Sequence, residues 1–149
     1  MLAIAAGQAA GAAEPVAPDE AAQVREEDLL LLAVDLDGLT IADSIAAYGE
    51  MDDPLVPMGE LARLLDLDID VSPGERRITG RIGEAQRSIT VDLDTGLARV
   101  GGRNVALPAR DIVATQNEIY VRASAVPKLL PVTIEADLEA LQLNLTATE

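Results

Sequence analysis

Apolar and polar residues follow two different periods in the middle of the chain. Residues 58–65 carry an apolar side chain every three or four positions, which predicts a short helix that begins after Pro57. Residues 66–71 alternate aspartate with an apolar side chain, which predicts a strand with one buried face. The apolar positions of the two patterns are Met58, Leu61, Leu64, Leu65, Leu67, Ile69 and Val71.

The same alternation predicts three further strands, at residues 77–82, 88–93 and 97–100. The segments between them favour turns, because proline presets φ and glycine tolerates positive φ. Asp35-Leu36-Asp37-Gly38 predicts an earlier hairpin, whereas residues 41–48 suit either a helix or a strand. The later turns are predicted at Ser72-Pro73-Gly74-Glu75, Gly83-Glu84 and Asp94-Thr95-Gly96.

Two stretches of the chain share one apolar pattern. Residues 120–135 repeat the apolar positions of residues 55–70 without a gap, at an offset of 120 − 55 = 65, so that Val121 matches Val56. The sequence therefore predicts an α+β fold, strand-dominated, with two tandem β-rich units that each contain one short helix. The first unit spans residues 29–101 and the second residues 102–149, and the alternative is one compact domain.

The composition excludes much of catalytic chemistry. The 149 residues include 26 acidic and 11 basic side chains, which gives a net charge of −15, and they include no histidine or cysteine. Because this charge repels phosphate backbones and anionic lipids, we expect no nucleic-acid partner and no docking to an anionic membrane surface. No uncharged apolar run approaches ~20 residues, so we also expect no insertion into a membrane. Without imidazole or thiol groups, a Ser-His-Asp triad and most zinc sites are excluded. We expect no enzyme activity, no catalytic residue, no metal and no cofactor.

The first residues indicate export. Residues 1–13 are small, apolar and uncharged, and Gly11-Ala12-Ala13 has the small-x-small form that signal peptidase accepts. We interpret them as the remnant of a secretory signal peptide whose start lies upstream; the alternative is a disordered Ala/Gly leader. Residues 14–28 are rich in proline, alanine and acidic side chains, which predicts a disordered linker. The expected location is the periplasm or the outer membrane.

One acidic motif has part of a calcium-binding spacing. Asp66, Asp68 and Asp70 alternate like the first ligands of an EF-hand loop. That loop needs glycine at its sixth position and glutamate at its twelfth, where this chain has Val71 and Arg77. We therefore interpret the three aspartates as the solvated face of a strand.

Two other charged motifs have a structural and a functional interpretation. Asp94-Thr95-Gly96 is the tripeptide of aspartic proteases, so a retroviral-type aspartic protease is a remote alternative, although Asp-x-Gly is also ordinary hairpin chemistry. Arg76-Arg77, Arg81 and Arg87 form a basic concentration that attracts either an acidic partner or the chain's own aspartates. We expect cross-strand ion pairs from them.

Several runs of the sequence resemble a known secreted module. Leu55-Val56-Pro57-Met58-Gly59-Glu60-Leu61-Ala62-Arg63-Leu64-Leu65, followed by an alternating strand, resembles the N-terminal stalk domain of copper amine oxidases. The second half, Val100-Gly101-Gly102-Arg103-Asn104-Val105-Ala106-Leu107 leading to Ile119-Tyr120-Val121-Arg122, follows the same pattern. Two blocks, Glu60 to Leu67 and the closing Leu130 to Leu138, are similar to the N-terminal region of usher-like outer-membrane proteins of Gram-negative bacteria.

This resemblance implies a non-enzymatic protein-interaction or structural domain in the periplasm, as the N-terminal part of an usher-like assembly or export protein. The alternative is a stalk or dimerisation module of a secreted enzyme whose catalytic domain lies outside this sequence. The expected partner is a protein: an adjacent domain, a second copy of the chain or an exported subunit. A free sheet edge binds another strand through backbone hydrogen bonds. The candidate edge strand consists of Leu141, Gln142, Leu143, Asn144 and Leu145, and the alternative is that this segment is a central strand.

Overall fold

The computed structural model of the protein describes residues 21–137 and 139–148. Within them the chain forms twelve strands, one α-helix and two 3-10 helices. In chain order the elements are a 3-10 helix (Glu26–Asp28), β1 (Leu29–Leu36), β2 (Leu39–Tyr48), β3 (Leu55–Pro57), α1 (Met58–Leu64), β4 (Asp68–Ser72), β5 (Arg77–Ile82), β6 (Arg87–Asp92), β7 (Leu97–Val100), β8 (Arg103–Asn104), β9 (Ile112–Ala114), β10 (Ile119–Arg122), a second 3-10 helix (Ala123–Lys128), β11 (Val132–Asp137) and β12 (Gln142–Ala147).

The strands form two sheets with a short helix near each, which confirms the strand-dominated α+β class. The larger sheet has seven strands in the order β9-β10-β3-β2-β1-β12-β11, and it is antiparallel except where β12 runs parallel to β1. The smaller sheet has five antiparallel strands in chain order, from β4 to β8. Buried side chains of both sheets and of α1 belong to one hydrophobic cluster, which includes Leu32, Met58, Ile89 and Leu143.

Two-residue turns close the hairpins at both ends of the first unit. Asp37 and Gly38, between β1 and β2, have φ values of 51° and 87°. Gly101 and Gly102, between β7 and β8, have φ values of 61° and 83°. Positive φ at both central residues is the geometry that matches the right-handed twist of paired strands. The predicted Asp37-Gly38 hairpin is therefore confirmed, and residues 41–48 are strand rather than helix.

The helix and strands predicted for residues 58–100 are present with shifts of one or two residues. The expected strand at residues 66–71 begins at Asp68, because Asp66 has a φ of 56° and the Leu67 N–H donates to the Ala62 carbonyl at 2.9 Å. One row of apolar side chains then crosses β4, β5, β6 and β7 on the core side of the sheet. Its members are Val71, Ile78, Val91 and Ala98.

The two predicted repeats meet at the centre of the larger sheet. Strands β3 and β10 pair antiparallel, and Val56 lies directly opposite Val121, its equivalent 65 residues later. Direct antiparallel pairing of equivalent residues places a local two-fold axis between them. A short helix follows each strand: α1 in the first repeat, and the 3-10 helix Ala123–Lys128, which contains Pro127, in the second.

The repeats diverge after their helices. In the first repeat β4 joins the smaller sheet, whereas in the second the corresponding strand, β11, joins the larger one. The larger sheet therefore takes β1 to β3 from residues 29–101 and β9 to β12 from residues 102–149. Burial also differs, since Leu129 and Leu130 are fully buried while Leu64 and Leu65 are half-buried.

Each repeat supplies a carboxylate that caps the helix of the other. Glu118 accepts hydrogen bonds from the N–H groups of Gly59 and Glu60, in the first turn of α1, at 2.9 and 3.3 Å. Asp53 accepts hydrogen bonds from the N–H and the hydroxyl of Ser124 at 2.8 and 2.7 Å, in the first turn of the 3-10 helix. These contacts satisfy backbone donors that have no partner within the helix.

Two sequence-based expectations require correction. Strand β12, which contains the expected edge residues Leu141 to Leu145 apart from Leu141 itself, pairs with β11 on one side and with β1 on the other, so it is not an edge. The linker prediction does not describe residues 22–28, because Ala22 is buried and its N–H donates to the Ala109 carbonyl at 3.0 Å. The amino-acid composition indicates neither the pairing of β12 on both sides nor the hydrogen bond of Ala22. The expected signal remnant at residues 1–13 lies outside the described residues.

Candidate interaction surface

The face of the larger sheet that points away from the core carries exposed apolar side chains. In the described part of the chain five large apolar side chains are exposed, and three of them, Leu39, Leu97 and Leu141, adjoin turns. The other two, Leu29 and Leu31, lie on one face of β1 with exposed fractions of 44% and 60%. Exposure at alternate positions of a strand produces a continuous surface rather than an isolated side chain.

Neighbouring strands extend this surface. Register places Leu29 beside Tyr48 and Leu31 beside Ala46, on strand β2. The Tyr48 ring meets the Tyr120 ring of β10 edge to face, with ring centroids 5.3 Å apart and planes at 87°. These are the two aromatic residues of the chain. We call the resulting surface the apolar patch; it consists of Leu29, Leu31, Ala33, Ala46, Tyr48 and Tyr120.

The Tyr120 hydroxyl stays uncharged over the physiological range. Burial, together with smaller contributions from Tyr48 and the nearby Glu118 carboxylate, raises the pKa of Tyr120 to about 12. A neutral phenol keeps the ring surface apolar, and its hydroxyl is hydrogen-bonded to the Tyr48 side chain. The apolar patch therefore carries no charge of its own.

The same outer face becomes acidic near the end of β1 and on the two strands beyond it, β12 and β11. Asp35 on β1 lies beside Asn144 on β12, which lies beside Glu135 on β11. Gln142 donates from Nε2 to the carboxylate of Asp35 at 2.7 Å and to the Asn144 side-chain oxygen at 2.8 Å. We call this second surface the acidic patch; it consists of Asp35, Glu135, Asp137, Gln142 and Asn144.

Basic side chains are scarce on these strands. Among the described residues, the strands of the larger sheet contain four acidic side chains and one basic side chain, Arg122. The Arg122 guanidinium donates to the Arg110 carbonyl at 2.8 and 3.0 Å and to the Asp53 carbonyl at 3.1 Å. It also lies 3.7 Å from the Asp111 carboxylate. Arg122 is thus held by the chain itself, in an open cleft of about 710 Å³.

A groove of about 660 Å³ elsewhere on the molecule is basic. Arg87, Arg103 and Lys128 line it together with Val100 and Val105. The Lys128 ammonium donates to the Ala106 carbonyl at 3.0 Å, so this cation also has a partner within the chain.

The aspartates with calcium-like spacing lie on exposed positions. Asp68 and Asp70 are exposed on β4, and Asp66 is exposed in the preceding turn, as the strand-face interpretation predicts. Within residues 21–137 and 139–148, no group of three or more carboxylates is arranged to hold a metal ion.

Asp94-Thr95-Gly96 forms the surface turn between β6 and β7 that the hairpin interpretation predicts. The Asp94 carboxylate is 65% exposed and pairs with Arg76 at 2.9 Å. Desolvation raises the pKa of Asp92, but hydrogen bonds from the Asp94 and Thr95 N–H groups and the Arg77 side chain hold that pKa below its ordinary value. The Asp92 and Asp94 carboxylates therefore stabilise the turn between β6 and β7.

The basic concentration forms the expected cross-strand ion pairs in part. Arg77 on β5 pairs with Asp92 on β6 at 3.3 Å, and Arg76 pairs with Asp94. Arg81 lies opposite Asp68 in the register of β4 and β5. The Arg77–Asp92 and Arg76–Asp94 ion pairs are exposed, so solvent screens them and they contribute little to stability.

Sequence reasoning missed the apolar patch. The signal was the run Leu29-Leu30-Leu31-Leu32, in which Leu30 and Leu32 pack against the core while the other two are exposed. Four consecutive leucines have no alternation, so the run does not indicate that one face lies outside.

No family model, no curated protein and no solved structure matches this chain. No helix in the described residues is long and apolar enough to cross a membrane. The resemblance to stalk domains and to usher-like proteins stays a prediction.

Proposed function

We propose that the chain is a non-enzymatic protein-interaction domain that binds its partner through the apolar patch. The observation that carries the proposal is the exposure of Leu29 and Leu31 side by side with the Tyr48–Tyr120 ring pair. Large exposed apolar surfaces cost solvation free energy in an isolated domain, and they are characteristic of binding sites. Aromatic side chains at such a surface add contact area at little cost in conformational entropy.

The sequence pattern suggests where this domain acts. A signal-peptidase motif and the resemblance to usher-like proteins support an exported domain that belongs to an outer-membrane assembly or export protein. In that setting the patch binds an adjacent domain or an exported subunit. The export step has its own test: expressed from its full gene in a Gram-negative host, the protein is expected in the cell envelope with Glu14 as its first residue. Recovery from the cytoplasm with an intact leader would contradict export.

Site-specific photo-crosslinking tests the interaction itself. A photoreactive amino acid replaces Leu31, which is 60% exposed on the apolar patch, in cells that naturally make the protein. Leu97 is the matched control, because it is 61% exposed but lies at a turn of the smaller sheet. We expect a discrete crosslinked adduct from position 31 and none from position 97. No adduct at position 31, or equal adducts at both positions, would contradict the proposal.

A further inference from the structure

We infer that the partner segment is cationic and amphipathic, with apolar side chains over the apolar patch and Lys or Arg side chains over the acidic patch. This inference rests on the proposed function and specifies the chemistry of its partner. It follows from the juxtaposition of the two patches on one face: Ala33 lies beside Gln142, which lies beside Asp137. Two strand spacings, about 10 Å, separate the apolar strand from the acidic edge.

The carboxylates of the acidic patch are open to such a partner. Glu135 and Asp137 are exposed on β11, which is an edge strand of the larger sheet. The Asp137 carboxylate accepts backbone hydrogen bonds from Glu139 and Ala140 at 3.1 and 3.2 Å, which fixes its position. A carboxylate that already accepts neutral donors still attracts a cation, because those bonds leave its charge in place.

The negative charge of the chain also disfavours other partners on this face of the larger sheet. A second copy of the chain brings another net charge of −15, so long-range repulsion opposes the association of two copies. An anionic lipid surface is repelled for the same reason. A segment with its own positive charge gains attraction over the whole face, and this attraction weakens as salt concentration rises.

Synthetic peptides provide the test, with binding measured by calorimetry on the full chain. Three peptides of equal length join a block of Leu to a block of Lys, a block of Leu to a block of Glu, and a block of Ser to a block of Lys, because the two patches lie side by side on one face. The inference predicts that the Leu-Lys peptide binds in low salt, that its affinity falls as salt is added, and that the other two bind at least tenfold more weakly. Peptide charge and peptide hydrophobicity are thus separated.

Matched variants locate the binding. Leu31→Ser is expected to weaken Leu-Lys binding about tenfold or more, as the loss of one buried leucine contact implies, whereas Leu97→Ser leaves it unchanged. Glu135→Gln with Asp137→Asn is expected to weaken binding severalfold. Asp68→Asn with Asp70→Asn, the same charge change on exposed positions of the smaller sheet, is expected to leave binding unchanged.

Each alternative result overturns the inference. Equal binding of the Ser-Lys peptide indicates unspecific attraction to an acidic protein, and equal binding of the Leu-Glu peptide indicates that the apolar patch acts alone. No peptide binding, or concentration-dependent self-association that Leu31→Ser abolishes, excludes a cationic segment in favour of another occupant. A crosslinked adduct at position 31 without Leu-Lys binding refutes this inference and leaves the proposed function standing, whereas a missing adduct refutes the proposed function.

Discussion

Asp53 and Glu118 lie 118 − 53 = 65 residues apart, the offset of the repeat, and each carboxylate caps the helix of the other repeat. Together with Val56 opposite Val121, this reciprocal contact shows that the two repeats are equivalent around the centre of the larger sheet. The caps also join residues distant in the sequence, so they stabilise the contact between repeats as well as each helix.

Removing a cap is expected to destabilise the whole domain. Glu118→Ala should lower the free energy of unfolding by about 1–2 kcal/mol, because three backbone N–H groups lose their acceptor. Asp53→Ala should have a comparable effect through Ser124. Denaturant unfolding measures both, with the exposed neighbour Asp52→Ala as the control. Equal stability of all three variants would contradict the capping role.

Gly59 offers a coupled test of the same contact. A Cβ added at Gly59 would lie 2.8 Å from the Glu118 Oε1 atom, so Gly59→Ala should displace the carboxylate and destabilise the domain. In the Glu118→Ala background the same substitution should be neutral or stabilising, because alanine favours a helix over glycine by about 1 kcal/mol. Additive effects in this double-mutant cycle would show that the two residues do not interact.

Local elements of the fold were predictable because their determinants are local. Asp37-Gly38 and Asp94-Thr95-Gly96 favour turns because of the φ values that their residues adopt readily. The spacing of apolar side chains in residues 58–65 predicts the helix. The pairing partners of the strands could not be predicted in this way. Leu143 lies beside Val34, 143 − 34 = 109 residues away, and no local pattern encodes that parallel pairing.

The candidate surface was less predictable for the same reason. Whether Leu31 or Leu32 points to the core depends on which strands flank β1 and on the register shifts between β1 and β2 near Val34. The Tyr48–Tyr120 ring contact likewise depends on the pairing of the two repeats through β3. Both features belong to the sheet rather than to either segment.

The central position of β12 gives a clear expectation for Leu143. Leu143→Pro removes a backbone donor from a strand that is paired on both sides, so the variant should lose cooperative unfolding. Leu143→Val, which keeps the donor and most of the side chain, should remain folded with a modest loss of stability. Near-native stability of the proline variant, measured by thermal melting, would restore the edge interpretation.

The two leucine pairs should respond differently to truncation. Leu130 is 2% exposed, so Leu130→Ala should cost about 2–5 kcal/mol, the range for a fully buried leucine. Leu65 is half-buried, and Leu65→Ala should cost less because part of its surface already contacts water. Denaturant unfolding measures both losses of stability, which the midpoints report when the dependence of the unfolding free energy on denaturant concentration is the same for each variant. A larger loss of stability for Leu65→Ala than for Leu130→Ala would contradict the difference in burial between the two side chains.

Calcium should not stabilise the fold. Asp66, Asp68 and Asp70 are exposed and do not converge with other carboxylates of the described residues on a common point. A ligand raises the melting temperature only when its concentration approaches or exceeds its Kd for the folded state, so without a calcium site millimolar calcium should leave the temperature unchanged. A rise of several degrees that Asp68→Asn abolishes would establish a calcium site.

The titration of Tyr120 tests whether its ring is buried in the apolar patch. Burial, with contributions from Tyr48 and Glu118, holds the pKa of Tyr120 at about 12 in the folded protein, against an ordinary value of 10.0. Because the folded pKa is the higher one, the associated stability is complete below pH 10 and is lost as pH rises from 10 to 12. Tyr48→Phe leaves Tyr120 as the single tyrosine, so its absorbance change then reports one group.

In Tyr48→Phe the pKa of Tyr120 should fall, because the Tyr48 hydrogen bond and charge that raise it are gone, but burial should keep it above 10. Unfolding this variant in denaturant should bring the titration to the ordinary tyrosine range. Binding of the Leu-Lys peptide should move the folded value upward again, since a docked apolar segment desolvates the ring further. A titration that is the same folded and unfolded would place Tyr120 in free contact with water and remove it from the apolar patch.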